Sequence, residues 1–194
     1  MKNMVANQNS GYLSPEEYLQ LEEKSSVKHE YRQGDIYAMA GASNVHVLIA
    51  VNLGTLLRNR LRGSGCLPYL SDTKVRIESI DIYYYPDIAV TCDRRDREFK
   101  NFLRYPCLIV EVLSPTTEAF DRGDKFADYR NLETLQEYVL ISQTRIQVDV
   151  FRRNEFGQWI LYPHKVGDTI HLASIDFSCA IEDLYEDVDF SPVS

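Results

Sequence analysis

Two stretches, Pro86-Asp87-Ile88-Ala89-Val90 and Leu108-Ile109-Val110-Glu111-Val112-Leu113, decide the fold. Each is a short apolar run of strand-forming residues carrying one carboxylate. An apolar strand normally excludes acids, because an unpaired buried charge is costly. Two strands that each keep one point to a shared task. The simplest such task is holding a hard divalent cation, which prefers oxygen ligands. Asp87 and Glu111 lie far enough apart in sequence for a strand, a loop and a return to a neighbouring strand.

The flanking segments alternate helix and strand signals. Ser14-Pro15-Glu16-Glu17 opens a helix with an N-cap, a proline at the first position and a capping box. It should end near Glu23 with Tyr18, Leu19 and Leu21 turned inward. His29-Glu30-Tyr31-Arg32 and Ile36-Tyr37-Ala38-Met39 read as a hairpin around Gln33-Gly34-Asp35. Ser43 or Asn44 caps a second helix to about Arg62, with Val47, Ala50, Val51, Gly54, Leu57 and Leu61 on one face. Gly63 is its stop, and Arg58, Arg60 and Arg62 suit its negative end.

Strands are expected at 67–70, 73–78, 87–91 and 107–113. Lys74-Val75-Arg76-Ile77 alternates, so one face is solvated or lines a cleft. Residues 93–105 form a charged loop that reads as solvated or as a DNA contact. Ser114-Pro115 stops the strand before it, and a helix follows over 121–132. Glu137 to Ile141 and Ile146 to Phe151 form a strand pair. Further strands fall at 158–162 and 169–172, and a helical turn closes the chain at 181–185. Residues 1–12 and 186–194 read as loose ends of one domain spanning 1–194. The pattern gives an α/β fold: a mixed central sheet flanked by helices, with a C-terminal antiparallel extension.

The totals narrow the function classes. With 194 residues, the chain can build a core without a staple. A formal net charge of −8 argues against broad nonspecific nucleic-acid binding, but a local basic rim can still face DNA. The thirteen tyrosines suit half-buried β-structure and interfaces. None of the four cysteines forms a C-x-x-C pair, and Cys92 and Cys107 read as small core residues. A reduced cytoplasm is expected rather than secretion. Met1 to Ser10 lacks the apolar segment of a signal peptide, and no run reaches membrane-span length.

Asp87, Glu111 and Lys125 form the constellation with chemistry. Phosphodiester hydrolysis needs a cation to offset charge on the phosphate and an activated water. Two carboxylates at adjacent strand ends suit Mg²⁺ with coordination positions left over. A lysine nearby can position the water or stabilise the pentavalent state. The plainer readings are a strand-end turn acid for Asp87 and a buried, arginine-paired acid for Glu111. Lys74, from a neighbouring strand, could take the role of Lys125.

Tyr85-Pro86-Asp87 with Val110-Glu111-Val112-Leu113-Ser114-Pro115 resembles the PD-(D/E)XK restriction-endonuclease-like superfamily and, within it, the Uma-two endonuclease family. The resemblance spans Leu13 to Tyr185. It takes in the Ser-Pro-Glu-Glu-Tyr helix, the Glu30-Tyr31-x-x-Gly34 hairpin, and Ala40 to Ser43 before His46. It continues through Asp121-Arg122-Gly123-Asp124-Lys125-Phe126 and Gln136 to Leu140. The superfamily pattern places lysine two residues after the second acid, where this chain has Leu113. The resemblance therefore implies that Lys125 supplies the lysine from the next helix; the alternative is a catalytically inactive remnant. It also implies Glu30 as a further acid near the metal and His46 as a phosphate contact or a structural helix-start residue. The expected function is Mg²⁺- or Mn²⁺-dependent endodeoxyribonuclease, with DNA and a second copy of the chain as partners. The rival readings are an inactive DNA- or protein-binding module and a hydrolase of another phosphoester.

Overall fold

The computed structural model describes residues 12–190. Four helices and thirteen strands alternate along it. Helix α1 is Pro15–Glu22, and the hairpin strands are β1 (His29–Arg32) and β2 (Asp35–Ala38). Helix α2 is Asn44–Arg60, followed by β3 (Leu67–Leu70), β4 (Lys74–Ile77), β5 (Ile82–Tyr84), β6 (Ile88–Thr91), β7 (Phe102–Leu103) and β8 (Leu108–Leu113). Helices α3 (Glu118–Arg122) and α4 (Asp124–Tyr129) precede β9 (Glu137–Ser142), β10 (Gln147–Arg153), β11 (Trp159–Lys165), β12 (Thr169–Leu172) and β13 (Phe177–Ala180).

Six strands form the main sheet in the order β11-β10-β9-β8-β6-β3, and five form a second sheet, β2-β1-β5-β4-β7. Strands β12 and β13 pair separately. Both larger sheets are mixed: β8 runs parallel to β9 and β4 parallel to β7, whereas β6 and β8 are antiparallel. The α/β class and the C-terminal antiparallel extension read from the sequence are both present.

Strand alternation assigns the faces of the main sheet. Ile88, Val90, Leu108, Val110 and Val112 point to one side, where they pack with Ile49, Leu53 and Leu57 of α2. Ala89, Ile109 and Leu113 point to the other, against Phe126 and Tyr129 of α4 and Val75, Ile77, Ile82 and Tyr84 of the second sheet. By the same alternation Glu111 belongs to the second side; Asp87 stands at the strand end, one residue before β6. Beyond the second sheet, Tyr18 of α1 stacks on Tyr31 with ring centroids 5.0 Å apart, beside Tyr83.

Several local expectations are corrected. The Ser14 capping box forms, and Tyr18 is buried, but Leu21 is exposed because the short helix turns only one narrow stripe inward. The hairpin turn has two residues, Gln33 and Gly34, both at positive φ (52° and 98°), and Asp35 already pairs with Arg32. In α2 the buried face is Ile49, Ala50, Leu53, Gly54 and Leu57; Val47 and Val51 are exposed. The observed stripe packs on the main sheet, and β3 approaches Gly54 so closely that a Cβ there would meet Leu70 at 2.7 Å. The helix expected over 121–132 is two short helices meeting at Gly123. The charged loop after β6 contains a helical turn, Arg94–Glu98, and β7; buried Asp96 accepts from the Arg104 and Tyr105 N–H groups. Strands β5 and β13 were not anticipated.

Cys92 is exposed rather than in the core, and it is joined to Cys66 by a disulfide. Pairing of Leu67 with Thr91 makes Cys66 and Cys92 the next pair along β3 and β6. Cys107 is buried, and burial pushes its thiol up to about 11. The expected loose ends fall largely on residues 1–11 and 191–194, outside the described residues.

The rotated face of α2 is testable. Leu53→Ala should cost about 2–5 kcal/mol in urea denaturation, whereas Val51→Ser should shift stability by no more than about 0.5 kcal/mol. Equal costs would mean that the helix face is misassigned.

Candidate active site

The pairing of β6 with β8 sets the centre of the site. Ile88 lies opposite Val110, so Asp87 and Glu111 are the next residues along the two chains. Opposed residues of an antiparallel pair place their side chains about 5 Å apart on one face. Glu111 faces α4 and the second sheet, while Asp87, at the strand end, reaches the start of α2.

Asp87 is held at both oxygens. One accepts from the Val112 N–H at 2.7 Å, and the other lies 2.8 Å from His46 Nε2. His46 is placed by the start of α2, where its N–H donates to the Ser43 cap. Glu111 is almost fully buried. Its Oε1 lies 2.9 Å from Lys125 Nζ and accepts from the Tyr129 hydroxyl at 3.2 Å. Lys125 is buried too, 3.1 Å from Glu30 and 3.8 Å from Asp121, with its ammonium 5.4 Å from the Tyr84 ring centre. Glu30 also accepts from the Tyr85 N–H.

Leu113 explains why the lysine comes from a helix. It lies on the same face as Glu111 but joins the apolar cluster with Phe126 and Leu140. The position two residues after the acid is thus filled with hydrocarbon. The ammonium enters from α4, which begins right after the break at Gly123.

The charges compete strongly. Burial pushes the Glu111 carboxyl well above its ordinary value of 4.5; Lys125 opposes this, while Asp121 and Asp87 add to it. Burial alone would disfavour the Lys125 ammonium, but Glu111, Glu30 and Asp121 outweigh it and hold the group well above its usual range. Asp121 is raised, first by burial. Tyr129 is raised by burial and by the Glu111 charge. Three acids thus share one ammonium, with Asp87 close by, an excess of negative charge that attracts cations.

Among the described residues, no group of three or more His, Cys, Asp or Glu side chains is arranged to hold a metal ion. The donor set nevertheless suits a hard cation: carboxylate oxygens predominate, and no thiol is near. Asp87 and Glu111 are the residues that would hold it.

Of the residues singled out in the sequence, Asp87, Glu111, Lys125, Glu30 and His46 are brought together. Lys74 is not. Its Nζ donates to the Tyr85 hydroxyl at 3.1 Å, in a separate cavity lined by Glu22, Glu23 and Asp72. Asp121 and Tyr129 were missed as site residues. Tyr129 lies four residues after Lys125 on α4, a spacing available in the sequence, whereas Asp121 reaches the ammonium from α3, across the break at Gly123.

The family model of Uma2, described as "Putative restriction endonuclease", matches residues 15–182. Two proteins of Synechocystis sp. (strain ATCC 27184 / PCC 6803 / Kazusa) are similar. The uncharacterized protein slr1290 is 47% identical over 92% of this chain and 94% of its own length. The uncharacterized protein sll1609 is 35% identical over 77% and 85%. A crystal structure of a "putative nuclease belonging to DUF820" from Anabaena variabilis ATCC 29413 shares the fold. It has a TM-score of 0.73 and 19% identity, and covers 88% of this chain and 96% of that one.

Lys125→Met should reveal the ammonium's role through pH. Without it, the folded pKa of Glu111 rises further above 4.5. The folded state then keeps a proton that the unfolded chain releases, so the linked stability is full below the unfolded pKa and is lost as pH rises towards the folded one. Urea denaturation should show the variant losing more stability than the wild type as pH rises above 4.5, the loss continuing to higher pH and growing by about 1.4 kcal/mol per unit of added shift. Near neutrality it should be destabilised by about 3–5 kcal/mol. Parallel pH curves would mean that Lys125 does not hold Glu111 ionised.

Proposed function

This chain belongs to the Uma2 family, a family of nuclease type, and from that premise we propose that it is a Mg²⁺- or Mn²⁺-dependent endodeoxyribonuclease acting at the Asp87–Glu111 cluster. One observation carries the reading: two acids stand opposite each other on neighbouring strands, with a lysine ammonium 2.9 Å from one of them. A metal bound there would offset charge on the phosphate and make a bound water more acidic.

The chain's own residues account for the rest. Asp87 and Glu111 would supply the metal's carboxylate oxygens. The Val112 N–H fixes the Asp87 carboxylate and His46 contacts its other oxygen, so its orientation is set before a ligand arrives. Lys125 would hydrogen-bond the attacking water or an oxygen of the phosphate as negative charge builds on it. Glu30 and Asp121 keep that ammonium charged and in place. The presence of Lys125 in the cluster favours this reading over an inactive remnant.

Two conservative variants test the proposal. Glu111→Gln and Asp87→Asn should each lower metal-dependent cleavage of duplex DNA at least about 100-fold, with circular dichroism unchanged. Assays on single-stranded DNA, RNA and a nucleotide phosphoester define the substrate class. Wild-type cleavage rates in both variants would refute the assignment.

A further inference from the structure

Beside the acidic cluster lies a cavity of about 310 Å³, lined by Glu22, Glu23, Asp72, Thr73, Lys74, Tyr85, Lys100 and Asn101. We propose that it is a second subsite, which takes a phosphoryl group of the DNA strand on Lys74, Lys100 and Thr73, about two nucleotides from the phosphate being cleaved. The proposal rests on the nuclease reading above.

The charges in the cavity show which ligand fits. Its acids are all hydrogen-bonded within the protein, though among the described residues only Asp72 is paired with a lysine. Glu22 accepts from the His29 N–H and the Tyr85 hydroxyl and lies 3.1 Å from His29 Nδ1. Glu23 accepts from the Asn101 amide at 3.2 Å, and Asp72 pairs with Lys28.

The lysines are not matched in this way. Lys74 is only 8% exposed, yet among the described residues no carboxylate lies within ion-pair distance of it. Its hydrogen bond goes to the Tyr85 hydroxyl, and its Nζ sits 5.0 Å from the Tyr85 ring centre. An ammonium carries three N–H donors, so two remain. Burial holds Lys74 below its ordinary range, and Glu22 and Glu23 nearby offset this only in part. Lys100, on the exposed rim, has no ion pair among the described residues either. Two ammonium groups lining the cavity, with the Thr73 hydroxyl next to Lys74 in sequence, suit phosphate oxygens.

Position ties the cavity to the cleaving site. The Tyr85 side chain forms part of the cavity wall, and its N–H donates to Glu30, which contacts Lys125. Asp87 follows two residues later, about 6.6 Å of extended chain. That is about two base steps of duplex rise, so one strand can reach both places.

The test reads binding without cleavage. Short oligodeoxynucleotides are titrated into Glu111→Gln protein in EDTA over a series of salt concentrations. Adding Lys74→Met should weaken binding about tenfold and lower the salt slope by about 1, and Lys74→Arg should restore most of the slope. Lys100→Met, an exposed change that leaves the core intact, should lower the slope as well and serves if Lys74→Met does not fold. A Lys74 effect that is equal with and without a 5′-phosphate identifies an internal phosphodiester, the expected source. An effect confined to 5′-phosphorylated strands, or competition by inorganic phosphate alone, identifies a strand end or the free ion in the same subsite. Unchanged affinity and slope in both the Lys74→Met and Lys100→Met proteins would overturn the subsite. Lys74-dependent binding by a wild-type protein that never cleaves would instead overturn the nuclease reading and leave the subsite standing.

Discussion

The buried ammonium of Lys125 is the constraint around which the rest of the site is arranged. Burying a lone charge costs several kcal/mol even after the protein relaxes. Here three carboxylates from three different elements meet it: Glu30 from β1, Glu111 from β8 and Asp121 from α3. Each of them is also costly to bury alone. The four groups are stable only together, which ties the hairpin, the main sheet and the broken helix to one point. The second sheet is thereby coupled to the main sheet by charge as well as by the apolar contacts of Tyr84, Ile109 and Leu113.

Much of this was legible in the sequence because strand pairing converts local pattern into position. The runs around Asp87 and Glu111 read as strands, and alternation alone placed Glu111 on a definite face. Antiparallel pairing then put the acids opposite each other. The capping box at Ser14, the cap at Ser43 and the stop at Gly63 were equally local and equally readable. What could not be read depended on contacts distant in sequence. The face that α2 buries is set by the strands of the main sheet it packs on. The break at Gly123 follows from placing Asp121 and Lys125 against strands that local propensity does not see. The Cys66–Cys92 pairing requires the β3–β6 register, which no cysteine spacing encodes.

Lys74 shows the limit of reading residue type without partners. From sequence it was the weaker substitute for Lys125, since both are lysines near strands that carry the acids. The structure separates them by what surrounds them. Lys125 has carboxylates within 3.8 Å or less on three sides, whereas Lys74 has a phenol. The same side chain is therefore saturated in one place and under-compensated in the other. Burial, which both share, does not distinguish them.

The site is also asymmetric in depth, and this bears on how it could work. The Asp87 and His46 side chains retain 20% and 14% of their exposure, whereas those of Glu111 and Lys125 retain 5% and 6%. Solvent therefore meets the cluster at Asp87, and the lysine stands behind the acids. A phosphate arriving from solvent meets the carboxylate side first, which repels it unless a cation intervenes. Only with that charge offset can its oxygens approach the Lys125 ammonium. Under the proposed nuclease reading, the order of depth gives the excess of acid over base the task of drawing in a cation ahead of the phosphate, whereas a cluster with the lysine outermost would bind the anion unaided.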